Sequence, residues 1–260
     1  MTDIFDSSEV PYLQDIINYL PIDPIDEEDV ITYIENITNL ITVNYKYGQY
    51  QFAYFGLHLL YMTYIYCTVW KIGRILPERY SDAVVFARTY SNREKDMDID
   101  NIGTIFQYSL IPEKDISKIF KIIDLDKSQI SNVGILVDVR NEMAHASGKF
   151  EILTEDNFSV KANTILNSIR NIHNRMDKQI RKWFKQILSS YCMGEFSEYD
   201  NIEDIIVEQM VQNFKLSMNE ILICNEMSVK ELINENNKWE EMLKGFKKGL
   251  SIYCEERGYI

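Results

Sequence analysis

The sequence predicts an all-α protein, a helical bundle with additional N- and C-terminal helices, from three observations. Its 260 residues are 46% apolar, enough for a large core. Only 10 Gly and 5 Pro occur, too few turn-formers for a many-stranded sandwich or barrel. Long stretches repeat their apolar residues at the period of a helix, and no internal repeat interrupts them.

The first helix is expected over about 10–20 and the second over about 27–43, opened by Asp26 as N-cap with acids in its first turn. A helix of about 48–74 follows. Within it, Gln51 to Trp70 carries no Asp, Glu, Lys or Arg and is long enough to span a bilayer. His58, Thr63, Thr68 and four tyrosines would each need a polar partner in lipid, so this stretch reads as a core helix and His58 as a satisfied core histidine.

Pro77 starts a helix to about 93, and the polar stretch Ser91 to Asn101 reads as an exposed loop. Shorter helices are expected around 101–109 and 112–123. The next runs over about 127–147 and stops at Gly148, with a connector from Lys149 to Phe158. Helices of about 159–192 and 200–217 follow, and Ser228-Val229-Lys230-Glu231 reads as a capping box opening a last helix to about 256.

Charge divides the chain more sharply than its net −13. Residues 1–45 hold ten acids and no Lys or Arg; residues 149–193 hold eight basic residues against four acids, and 194–260 seven against fourteen. The expected organisation is an acidic helical segment over 1–45, a helical bundle over 46–192 and a helical extension over 193–260. Cys67, Cys192, Cys224 and Cys254 lie far apart, without a C-x-x-C pair or a His at ligand spacing. Free thiols are therefore expected, with no metal site and no cofactor. The acidic start, Met1 to Asp6, lacks the basic and apolar runs of a signal peptide, so the expectation is a cytoplasmic protein that does not enter a membrane.

The chemistry concentrates in Arg140-Asn141-Glu142-Met143-Ala144-His145. On the 127–147 helix, Ile130, Val133, Leu136, Val137, Met143 and Ala144 form the apolar arc, with Arg140 near its middle. A guanidinium there must find a carboxylate, a partner subunit or a phosphate. His145 lies about 140° round the helix from Arg140. Either the helix distorts near Gly148, or two copies packed motif to motif bring both residue types into one cleft; the second is the more economical, so a homodimer is expected. Arg grips phosphate oxygens with a planar fork and His moves protons near neutral pH, which together fit phosphodiester cleavage.

This segment resembles the HEPN superfamily, whose nuclease members carry R-x(4–6)-H, usually with a polar residue after the Arg, on a helix of a dimerising four-helix bundle. The resemblance covers about 46–192. It implies a metal-independent endoribonuclease in which the 2′-hydroxyl attacks the adjacent phosphate, with Arg140, His145 and Asn141 as catalytic residues. It also implies a toxin or anti-phage role, with an antitoxin or defence partner protein. Members controlled by a nucleotidyltransferase antitoxin often read R-x(4)-H-x-Y, and Ser147 departs from that pattern.

On the helix after the motif, Ile169, Ile172, Met176, Ile180, Trp183 and Ile187 form a buried stripe, and cations fill the rest. Arg175, Lys178 and Lys182 are the expected RNA contacts, His173 a surface or dimer contact, and the acidic 1–45 segment a cover for the cations. The plainer reading is a non-catalytic adaptor that binds a protein or nucleic acid, in which Arg140 pairs with Asp138 or Glu142 and His145 caps its helix.

Overall fold

The computed structural model describes residues 9–21, 28–84, 102–144 and 152–260. Every regular element among them is helical, as the composition requires. The expected Asp26 cap, the end of the Pro77 helix, the 91–101 loop and Gly148 lie outside the described residues.

α1 (Leu13–Ile17) and α2 (Glu28–Lys46) lead into α3 (Tyr50–Ile75), the axis of the molecule. α3 is long and apolar enough to cross a membrane by length and composition, and 83% of its apolar window is buried inside the protein. Several of its polar groups are satisfied there: Thr63 and Thr68 hydroxyls donate to carbonyls one turn back, and Tyr64 donates to the Ile169 carbonyl at 3.2 Å, while the buried Tyr54 hydroxyl has no partner among the described residues. α2 crosses closely at Gly56, where a Cβ would lie 2.7 Å from the buried Ile41 side chain.

α4 (Pro77–Val84), a 3₁₀ turn at Ile105–Leu110, α5 (Glu113–Ile116) and a second 3₁₀ run at Ser117–Ile123 wrap one side of α3. α6 (Lys127–Ala144) starts at a capping box: Gln129 N–H donates to the Asp126 carboxylate at 2.8 Å, and Asp126 N–H donates to the Gln129 side chain at 3.0 Å. α7 (Glu155–Cys192) begins earlier than the periodicity predicts. Thr154 accepts from Asn157 N–H, and Glu155 and Asp156 complement the first turn, so the expected connector is helical from Glu155.

The C-terminal elements depart further from expectation. α8 (Ile202–Ile205) runs into a π-helical turn at Ile206–Gln212 and breaks at Lys215, whose φ is +55°. α9 (Met218–Glu226) is then opened by a Ser217/Glu220 capping box. The Ser228–Glu231 box does not form. Val229 is the N-cap of α10 (Lys230–Glu235), and the Glu231 carboxylate accepts from Lys185 of α7 instead. α11 (Glu240–Glu256) begins after a 3₁₀ turn at Asn237–Trp239 and packs with α9 on α7. Cys67, Cys192, Cys224 and Cys254 form no disulfide with one another.

Candidate functional site

Arg140 lies in the last turns of α6, on the arc that buries Val133, Leu136 and Val137. Its partner is a carboxylate, though neither of those expected. Arg140 Nη2 donates to Glu113 Oε2 at 2.5 Å, while Asp138 pairs with Lys114 on the outside of the helix. Glu113 opens α5, 27 positions upstream, where no reading of neighbours along one helix would find it.

The same Glu113 Oε2 lies 3.2 Å from His58 Nε2. An ionised carboxylate only accepts, so Nε2 carries the proton. His58 is fully buried on α3, and among the described residues its Nδ1 has no partner; Arg140 Nε is also buried without one there. Such orphans each cost about 1–3 kcal/mol, and two of them meet at one carboxylate. His58 is therefore a core histidine, as expected, but with only one of its two ring nitrogens satisfied among the described residues. The outer part of the cluster is open: Arg140 and Glu113 keep 22% and 21% of their side-chain surface.

Burial alone would raise the Glu113 carboxyl, but hydrogen bonds from His58 and Arg140, aided by their charge, hold it below the ordinary carboxylate range. A depressed carboxyl contributes stability that is complete above its unfolded pKa and lost as pH falls through the folded one. Glu113→Gln should therefore flatten the acid side of the stability–pH curve, read by denaturant unfolding from neutral to acid pH.

Of the motif's other residues, Asn141 stands apart from this cluster. Asn141 is half-buried, 100° round α6, and makes no side-chain hydrogen bond among the described residues. His145, and with it the expected union of Arg140 and His145 in one cleft, lies outside the described residues. Among the described residues no group of three or more His, Cys, Asp or Glu is placed to hold a metal ion.

On α7 the apolar stripe Ile169 to Ile187 is buried as expected. Arg181 and Lys185 are committed to Asp177 and Glu231. Arg175, Lys178 and Lys182 are exposed and form no ion pair among the described residues. His173 is not a surface contact: the Tyr19 ring packs edge-on against it at 4.9 Å, and burial lowers its pKa. It faces half a turn away from those cations, so α1 approaches α7 from the side opposite them and does not cover them.

The chain matches no protein-family model, no curated protein and no solved structure.

Proposed function

We propose that this protein is a metal-independent endoribonuclease of HEPN type, acting in the cytoplasm as a homodimer in a toxin or anti-phage role. The observation that carries the reading is Arg140: a guanidinium followed in the sequence by Asn141 and, after four intervening residues, by His145, and itself half-buried yet still partly open. In this reading Arg140 grips non-bridging phosphate oxygens through its planar fork. His145 transfers the proton as the 2′-hydroxyl attacks, and the bond to the 5′-oxygen breaks. A 2′,3′-cyclic phosphate and a 5′-hydroxyl result. Asn141 is the polar neighbour that the resemblance places beside the reacting phosphate, and Arg175, Lys178 and Lys182 are candidate contacts to the RNA backbone.

The purified chain incubated with total RNA in excess chelator, with end-group analysis of the products, tests this. Cleavage leaving cyclic phosphate ends is the expected result. Ends of the 3′-hydroxyl type, or cleavage restored only by magnesium, would overturn it.

One observation favours a second reading. Glu113 already neutralises Arg140 and is itself held by His58, which is what a structural ion pair would build. On that reading the chain is a helical adaptor for a protein or nucleic-acid partner, and no RNA is cut.

A further inference from the structure

Among the described residues, α6 and α7 share an open face. Exposed positions recur along α7 at intervals of three and four, so that Asn157, Val160, Thr164, Asn167 and Asn171 lie on one stripe. Arg175, Lys178 and Lys182 continue that stripe without a break, also exposed. No acid falls on it, in a protein of net charge −13. Asp177 sits well round the helix, held by Arg181.

Where α6 lies against this stripe, a cleft of about 250 Å³ opens. Its polar lining is Gln129, Asn132, Thr164, Asn167, Ser168 and Asn171, with no charged group, over an apolar floor of the buried Leu125, Leu136 and Ile172 and beside the exposed Ile135. Gln129 gives its carbonyl oxygen to the α6 cap, leaving its amide N–H₂ for the cleft. Side-chain amides offer a donor and an acceptor in one plane, as a nucleobase edge does, and a charged group would find no counter-ion here. The volume lies below the ~300–1,000 Å³ of drug-sized ligand sites and suits one planar base on an apolar bed.

We infer that this face is the path of a single RNA strand, with one unpaired base in the amide-lined cleft and the backbone continuing over Arg175, Lys178 and Lys182. RNA is read in sequence mainly where its bases are unpaired, through hydrogen bonds to base edges and stacking. Cleft and cations alternate between the two chemistries a polynucleotide presents, which neither a peptide nor a second copy of this acidic chain does. Leu136 lines the cleft one helical turn, about 6 Å of rise, before Arg140. The inference rests on the nuclease reading only for this last link: the cleft then chooses the base beside the phosphate that is cut.

The test uses the full chain carrying His145→Ala to suppress cleavage, with labelled single-stranded homopolymers of A, C and U read by fluorescence anisotropy at several salt concentrations. Asn132→Ala, Asn167→Ala and Asn171→Ala together, all at exposed positions, should lower affinity for the preferred homopolymer about tenfold, as expected for one lost hydrogen-bonded base. They should also erase the preference while leaving the salt slope in place. Arg175→Glu, Lys178→Glu and Lys182→Glu should weaken all three alike and reduce the salt slope by about 2, the single-strand value for three phosphate contacts.

An amide variant that binds all homopolymers as its parent does overturns the path. So does a shift from dimer to monomer in that variant with RNA affinity unchanged, which would seat a second copy on this face. RNA bound through the amides but left uncut by the unmodified chain supports the path and removes the nuclease reading. RNA cut with a base preference that the amide variant retains overturns the path and leaves the nuclease reading standing.

Discussion

Arg140→Ala and His145→Ala should each slow RNA cleavage by about a hundredfold or more, one through loss of transition-state charge stabilisation and the other through loss of proton transfer. Arg140→Lys should fail as well, since a point charge does not reproduce the bidentate fork. The two alanine variants differ in their effect on the fold. Arg140→Ala takes a partner from Glu113, which keeps only about a fifth of its surface, and so lowers stability measurably. Activity is therefore read against His145→Ala, and against Arg140→Lys, which retains a cation for Glu113. Initial cleavage rates, with unfolding measured in parallel, separate the readings. Wild-type rates in both alanine variants would show the assigned site to be wrong. An unmodified chain that cuts nothing, with Arg140→Ala merely less stable, would leave the adaptor.

What the sequence made legible were features carried by one helix at a time. The uncharged run of α3 reads as core because no helix of that composition stays exposed, and the structure buries it. The α7 stripe from Ile169 to Ile187 is fixed by period alone. Arg140 on an apolar arc announces that a partner exists, but its identity needs the third dimension: Glu113 reaches it only because α5 and α6 pack together. The caps show the same limit. Ser228–Glu231 has the residues of a capping box, yet Lys185 competes for the Glu231 carboxylate and wins; Ser217–Glu220 forms the box that pattern reading passes over. Within the basic face, the three cations singled out from sequence, Arg175, Lys178 and Lys182, are the exposed ones, whereas the charges of Arg181 and Lys185 are answered by Asp177 and Glu231.

The buried Lys71–Glu220 pair should give the largest stability effects in the molecule. Lys71, in the last turns of α3, is fully buried, and its ammonium lies 2.5 and 2.6 Å from the two Glu220 oxygens, 149 residues away. Glu220 also accepts from Ser217 N–H at 2.8 Å, so one carboxylate ties the start of α9 to the core helix of the bundle. Trp70 Nε1 donating to the Asn213 carbonyl at 3.0 Å is a second tie between the same regions. Lys71→Met leaves Glu220 charged, buried and unpaired, a loss of about 3–5 kcal/mol. Glu220→Gln keeps an acceptor for the cap but strands the Lys71 charge, with a loss of similar size. The double variant buries no net charge, so it should be more stable than the sum of the two losses by about 0.5–3 kcal/mol. Denaturant unfolding at constant m-value measures this. Strict additivity would mean that the two charges do not stabilise one another. Recovery in the double variant would mean that residues 213–226 are held to α3 by this pair, and that the C-terminal helices and the bundle then lose their structure in one transition.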